Sequence, residues 1–266
     1  MAGVAYIAVM ALKETDMKKL ENKVALVTGG SRGIGKAIVY ALAQEGANIG
    51  LNYLTSEEQA EQNVKNICKN YGIKAIAIKA DVSAAVEVRK MVDTMLEEFG
   101  HIDILVNNAG VACKKALSDT SLEEWSKVIG TDLTGVFLCT QSVLPSMLSR
   151  RWGRIINIAS TLGFIGCAGN SAYSAAKGGV LAFTKSVARE FVQQGILVNC
   201  VAPGPTETDL FANWPPEIKK KHESEIPLGR LSSPEEVART VVFLASPDSN
   251  VYVGQTLCPS GGEFMI

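Results

Sequence analysis

Val24-Ala25-Leu26-Val27-Thr28-Gly29-Gly30-Ser31-Arg32-Gly33-Ile34-Gly35 carries an apolar, strand-like run directly into a glycine-rich turn. An amphipathic segment, Lys36 to Gln44, follows. Glycine lets backbone approach a ligand closely, and a helix start offers unpaired N–H groups and the positive end of the helix dipole. A glycine turn between a strand and a helix is therefore built to hold a phosphate. Glycine loops are common, and the flanking strand and helix are what make this one read as a dinucleotide loop.

Strand and helix signals alternate outward from that point. Strands are expected at Ala47 to Tyr53, Lys74 to Lys79, Ile102 to Val106, Arg154 to Ile158, Ile196 to Val201 and Gln255 to Cys258. Helical spacing covers Ser56 to Asn70, Val86 to Phe99, Leu122 to Leu148 (with a bend expected near Pro145), Ser171 to Gln193 and Pro234 to Leu244. Ser233 is placed to cap the last of these. Such alternation predicts an α/β fold with a doubly wound parallel sheet and ligands at the C-terminal strand ends. One domain is expected over 17–266, with an N-terminal extension at 1–16 and a lid insertion near 205–230. Met17 is the expected natural start. Val4 to Leu12 is apolar but too short to span a bilayer, and no basic residue precedes it.

The 266 residues are 47% hydrophobic and 20% charged, which predicts a sizeable core rather than disorder. A net charge of −1 gives no reason to expect a nucleic-acid or anionic-membrane partner. The six cysteines are scattered without a CxxC pair, which predicts reduced thiols and a cytoplasmic protein. With only two histidines, His101 and His222, no metal site is expected.

Tyr173 and Lys177 stand four residues apart on a predicted helix and share a face. A free tyrosine titrates near ~10, and a fixed ammonium favours its phenolate. Ser160 follows a predicted strand and can hydrogen-bond a carbonyl or alcohol oxygen. Each alone has a plain reading as a helix edge or a turn cap. Their order in one chain, with Thr28 to Gly35, Asn107-Asn108-Ala109-Gly110, Tyr173-Ser174-Ala175-Ala176-Lys177 and Pro203-Gly204, resembles the short-chain dehydrogenase/reductase family. Leu228-Gly229-Arg230, Pro234 to Ala238 and Gly261-Gly262 look like the 3-oxoacyl-carrier-protein reductase branch.

The resemblance implies that Tyr173 is the general acid of reduction and that Lys177 holds the nicotinamide ribose and acidifies it. It also implies that Ser160 orients the substrate oxygen. It places Gly29, Ser31, Arg32, Gly33, Ile34 and Gly35 around the pyrophosphate and adenosine ribose, with Tyr53 at the second strand end. It puts Asp81 and Val82 by the adenine, Asn107, Ala109 and Gly110 along the cleft, and Pro203, Gly204, Thr206 and Thr208 by the carboxamide and a phosphate. Asp132 stands where the family often has a fourth catalytic residue, an asparagine. It is read either as a relay member or as a structural helix residue.

An acid at the end of the second strand would select NAD, whereas this end reads Asn52-Tyr53-Leu54-Thr55. Arg32 can pair with a 2′-phosphate, so NADP(H) is expected over NAD(H). Three functions stay open: reduction of 3-oxoacyl thioesters, oxidation of a cyclic, steroid-like or sugar-derived alcohol, and a non-catalytic NADP-binding sensor. One of the family's carrier-protein docking positions matches Arg151, beside Arg150, while the second is Gln194 rather than arginine, so acyl carrier protein is half supported as a partner. Thr161, Leu162, Phe164, Cys167 and Trp214 are candidates for an apolar substrate pocket, and Cys113 is read as a bystander. A homodimer or homotetramer is expected, with Phe264-Met265-Ile266 as one contact.

Overall fold

A computed structural model of the protein describes residues 18–208 and 215–265. The extension at 1–16, Met17, Trp214 and Ile266 lie outside the described residues.

β1 (Val24–Val27), β2 (Asn48–Tyr53), β3 (Ala75–Lys79), β4 (Ile104–Asn107), β5 (Gly153–Ile158), β6 (Ile196–Val201) and β7 (Thr256–Leu257) form one sheet in the order β3-β2-β1-β4-β5-β6-β7. Every pairing is parallel. The order reverses between β1 and β4, which opens a crevice beyond their C-terminal ends. The predicted doubly wound sheet is thus the observed one.

Alternate strand residues enter two cores. On one face Val27, Leu51, Val106 and Ile158 pack with Ile38 and Leu42 of α1 (Gly33–Gln44), Ile67 of α2 (Glu57–Tyr71) and Val241 of α9 (Pro234–Ala245). On the other, Leu26, Leu105, Ile155 and Val198 pack with Met91 of α3 (Ala85–Phe99), Val143 of α5 (Gly135–Arg150) and Val187 of α7 (Ser171–Phe191). Both faces of the strands are buried, which is why they read as continuous apolar runs rather than alternating ones. Ser233 caps α9 as expected, its hydroxyl accepting from the Glu236 amide while Glu236 reaches back to the Ser233 amide.

The long helix expected at Leu122 to Leu148 is divided. α4 (Leu122–Ile129) runs through a π-helical turn, Gly130–Thr134, into α5, and Pro145 lies inside α5. The departure from regular α-helix is therefore at 130–134. This widened turn carries Asp132, fully buried, toward the interior. A short helix, α6 (Leu162–Ile165), follows β5. In the stretch expected as a lid, α8 (Pro216–Glu225) is held through Lys219 to Glu207, and the Leu228 amide donates to Gly261.

A polar seam crosses the sheet under the crevice. Asn107 Nδ2 donates to Asn157 Oδ1 at 2.8 Å and to Thr140 Oγ1 at 3.1 Å. Asn157 Nδ2 donates to Thr184 Oγ1 at 2.9 Å. These bonds join β4, β5, α5 and α7, the elements that deliver the site. Asn157→Ala leaves a buried Asn107 amide donor short of a partner and is expected to cost about 1–3 kcal/mol in urea unfolding. A loss below ~0.5 kcal/mol would mean that the seam tolerates the gap.

Candidate active site

The glycine turn is built by its neighbours. The Thr28 hydroxyl accepts from the amides of Asn108 at 2.9 Å and Ala109 at 3.0 Å, tying the exits of β1 and β4 together. Asn52 Oδ1 takes the Gly29 amide at 3.2 Å, while its Nδ2 donates to Ala80 O at 3.0 Å and Ile78 O at 3.3 Å. Buried Asn63, from α2, holds the Ser31 carbonyl at 2.8 Å. Asn52 and Asn63 carried no expected role. The signal for Asn52 is a polar amide inside an apolar strand.

The turn suits a pyrophosphate. Gly29 and Gly33 adopt φ of +63° and +54°, which favour glycine. A β-carbon on Gly35 would overlap the Gly29 carbonyl oxygen and come within 2.5 Å of Asn108 Nδ2. Arg32 precedes α1 with extended backbone, and no side chain caps that helix. The helix start therefore has donors available for an anion. Ile34 packs against the core and fixes the turn from beneath. Thr208 reaches over it, with its methyl 3.6 Å from where a β-carbon on Gly33 would sit. Thr206 is buried and pairs with Ser232, and its hydroxyl donates to the Gly204 carbonyl at 2.9 Å.

Thr28, Val82, Asn107, Ala109, Thr131, Gly135, Val136 and Cys139 line one small, nearly closed space beside the strand-order reversal. The Asn107 side chain belongs to the buried seam. Asp81 Oδ1 accepts from the Ser83 amide at 2.8 Å and hydroxyl at 2.7 Å, which shapes the turn before α3. At the end of β2, Tyr53 is buried, and burial pushes its hydroxyl up, helped by the carboxylates of Glu57 and Glu61. The strand end itself has no acid, but α2 brings Glu57 beside Tyr53, a neighbour that the linear sequence did not flag.

Beyond the turn, the polar groups converge on Lys177. Its Nζ donates to the Ile158 carbonyl at 2.9 Å and lies 3.1 Å from Asp132 Oδ2. The latter is charge attraction rather than an aligned hydrogen bond. Asp132 Oδ1 accepts from the Val111 amide at 2.7 Å. Lys177 is 3% exposed and Asp132 0%. Burial alone would lower Lys177. The Asp132 carboxylate, and then Tyr173, outweigh it, so the ammonium is held above its ordinary value. Burial pushes the Asp132 carboxyl up, against the pull of Lys177 and the Val111 amide. A β-carbon on Gly110 would lie 2.7 Å from Asp132 Oδ2 and 3.5 Å from Lys177 Nζ, so only glycine leaves room there.

Tyr173, one turn before Lys177, has its ring centroid 5.5 Å from that ammonium. It packs against Val128 and Ala176, with Val111 and Cys113 nearby. Ser160 stands two residues past the Ile158 carbonyl that Lys177 holds. Its hydroxyl accepts from the Leu162 amide at 3.2 Å. A β-carbon on Gly163 would come within 2.8 Å of the Lys177 carbonyl carbon, so α6 lies directly on α7 at the lysine. Ser160, Tyr173, Lys177 and Asp132, expected from separate stretches of sequence, thus belong to one neighbourhood.

Three further groups of expected residues are located by the structure. Arg151 donates to Gln193 O at 3.3 Å, and Arg150 lies 3.7 Å from Asp103. Both arginines stand where β5 begins, roughly 20 Å of strand away from Ser160 at ~3.3 Å per residue, so they do not flank the cleft of their own chain. The antiparallel run of α5 carries them to the far end. Phe264, expected at a subunit contact, stacks on Phe164 of its own chain at 4.7 Å. Cys113, read as a bystander, packs in the cluster around Tyr173.

A family model described as Enoyl-(Acyl carrier protein) reductase matches residues 29–263. The chain is 43% identical over 246 residues to a 3-oxoacyl-[acyl-carrier-protein] reductase FabG of Aquifex aeolicus, covering 92% of this chain and 99% of that protein. It is 44% identical over 243 residues to a protein of the same name from Staphylococcus aureus, covering 91% and 98%. A 3-oxoacyl-[acyl-carrier-protein] reductase of Synechocystis is 47% identical over 250 residues, covering 94% and 100%. Among the described residues no helix is long and apolar enough to cross a membrane, and no cluster of metal-binding side chains occurs.

The Lys177–Asp132 pair sets a pH dependence of stability. The folded pKa of Lys177 lies above its unfolded one. The stabilisation is therefore complete below the unfolded lysine value of about 10.4 and is lost as pH rises through the folded value. Asp132→Ala removes the carboxylate, leaves the ammonium with the Ile158 carbonyl alone and is expected to cost about 3–5 kcal/mol at neutral pH. The gap from the parent in urea unfolding should close at alkaline pH. A gap that stays constant to high pH would assign the loss to another cause.

Proposed function

The chain belongs to the short-chain dehydrogenase/reductase family, an oxidoreductase acting on CH–OH and ketone groups, and from that premise we propose that it reduces 3-oxoacyl thioesters with NADPH. The observation that carries the catalytic reading is the double anchoring of Lys177. Its Nζ is held 2.9 Å from the Ile158 carbonyl, two residues from Ser160, and 5.5 Å from the Tyr173 ring.

The nicotinamide cofactor, when bound, supplies a hydride for the carbonyl carbon. The protein's own work is to place groups and move one proton. Ser160 donates a hydrogen bond to the ketone oxygen and sets its direction. Tyr173 donates its phenolic proton to that oxygen as negative charge develops there. The Lys177 ammonium stabilises the phenolate left behind, and Asp132 keeps the ammonium charged in its buried setting. The glycine turn from Gly29 to Gly35 and the uncapped start of α1 hold the pyrophosphate. Thr208 lies against that turn at Gly33, and the neighbouring Thr206 is fixed by its bridge to Ser232.

Selection of NADPH is assigned to exposed Arg32 and to the acid-free end of β2. Glu57 beside Tyr53 gives NADH a specific argument of its own, since a carboxylate there could accept from a ribose 2′-hydroxyl. The substrate class rests on the 43–47% identity to proteins named for 3-oxoacyl-carrier-protein reduction. Acyl carrier protein is the proposed donor of the acyl chain. A cyclic or steroid-like alcohol is the second reading, favoured by the Phe164–Phe264 stack beyond Ser160.

Oxidation of NADPH by acetoacetyl-CoA, run beside a panel of cyclic ketones, tests the substrate class. Faster turnover of the cyclic ketones would overturn the thioester reading. Tyr173→Phe should lower kcat by at least about 100-fold while NADPH still binds. Retained turnover would remove Tyr173 from its role. Arg32→Ala should raise the KM for NADPH at least about tenfold and spare that for NADH. Equal effects on both would discard the 2′-phosphate contact.

A further inference from the structure

Glu263 has no part in the reaction derived above, yet its carboxylate meets the two strand exits that border the substrate oxygen. Thr161, the residue after Ser160, is 2% exposed, and its hydroxyl donates to Glu263 Oε2 at 3.1 Å. The Thr161 amide donates to the Pro203 carbonyl at 3.2 Å. On the other side, a β-carbon on Gly204 would lie 2.9 Å from Glu263 Oε2 and 2.8 Å from Ser260 Cα. Gly204 therefore makes room for the carboxylate as well as for the chain behind it. The Gly204 amide donates to Pro259 O at 3.3 Å, and the Glu263 amide to Ser260 O at 3.2 Å, so the C-terminal turn is itself pinned to the β6 exit. One carboxylate thus bridges the β5 exit, the Pro203-Gly204 turn and the C-terminal turn.

A hydrogen bond from a residue adjacent to Ser160 restrains more than its own side chain. Ser160 and Thr161 share a peptide unit, and α6 begins at the next residue. Without the Glu263 contact, the Thr161 hydroxyl is a buried donor with no partner, and the segment can relax it only by moving. Burial pushes the Glu263 carboxyl up, against the Thr161 hydroxyl and the charge of His222 on α8. A half-buried acid in such a place is costly unless its hydrogen bond is made.

We propose that Glu263 is a positioning residue that acts through Thr161, holding the Ser160 backbone against the Pro203-Gly204 turn so that Ser160 meets the substrate oxygen in register. The proposal rests on the assignment of Ser160 as the group that orients that oxygen.

The test uses Glu263→Ala, Glu263→Gln, Thr161→Val and the double variant Thr161→Val/Glu263→Ala in the full chain. Amide hydrogen exchange over 160–165 is read without cofactor, and kcat, KM and NADPH affinity are read with acetoacetyl-CoA. Glu263→Ala should speed exchange over 160–165 and lower kcat about tenfold or more, with NADPH Kd within about twofold of the parent, since small misplacement near the reacting atoms is costly. Glu263→Gln keeps an oxygen acceptor for Thr161 and should return both readouts to within about threefold of the parent. Thr161→Val should match Glu263→Ala, and the double variant should be no worse than either, because the residues act as one unit.

Additive losses, a glutamine variant as impaired as the alanine one, or faster exchange with unchanged kcat would each overturn the proposal. So would unchanged exchange in Glu263→Ala, whatever the substrate. If the parent leaves acetoacetyl-CoA untouched, the substrate reading alone fails, and the kinetic arm is run on the ketone that the parent does reduce. Should Glu263→Ala not fold, the glutamine and valine variants carry the same comparison.

Discussion

The buried contact between Lys177 and Asp132 organises the centre of this protein. An ammonium in an interior is costly, and three elements share the task of keeping it there. The π-turn of 130–134 supplies the carboxylate, β5 the Ile158 carbonyl, and α7 the lysine itself. Gly110 leaves the space into which the pair fits, and Gly163 lets α6 lie against α7 at the same level. Removing either charged partner would leave the other charge without compensation, which is far more costly than losing an exposed ion pair. In the reaction proposed above, the same pair supplies the positive charge that stands beside Tyr173.

The second constraint is the close approach of chain at the glycine turn. Asn52, Asn63 and Asn108 hold its backbone by hydrogen bonds from three separate segments. The turn is therefore preorganised, and its free donors face the crevice at the strand-order reversal. Preorganisation matters because each donor already in place need not be ordered when an anion arrives. The seam from Asn107 through Asn157 to Thr184 does for the sheet what these residues do for the turn. It fixes the relative heights of β4, β5 and α7 beneath the reacting groups.

Much of this was legible along the chain, for a definite reason. The strands are buried on both faces, so their apolar runs stand out, and the turns between them carry glycine, proline and capping residues. The seven parallel strands and most of the flanking helices follow from that pattern, with boundaries off by up to three residues. Tyr173 and Lys177 are four apart on one helix, a spacing that periodicity alone can read. The division of the long helix was not legible. Pro145 is the obvious irregular residue, but the widened turn is at 130–134, where Asp132 is drawn inward by a lysine 45 positions later. That Arg150 and Arg151 stand where β5 begins was not legible either, because a motif gives a position in sequence and not an end of a strand.

Local chemistry of the chain was enough to establish the alternating elements, the phosphate-suited turn and the pairing of a phenol with an amine, because each depends on neighbours within a few residues. Which partners meet across the interior depended on the closed sheet. Asp132 with Lys177, Asn52 with Gly29 and Thr161 with Glu263 come from distant segments, and their contacts arise only when strand register and helix packing bring those segments to one depth. A charge or hydrogen bond acts over a few ångströms of space, and the linear order of residues does not record that distance.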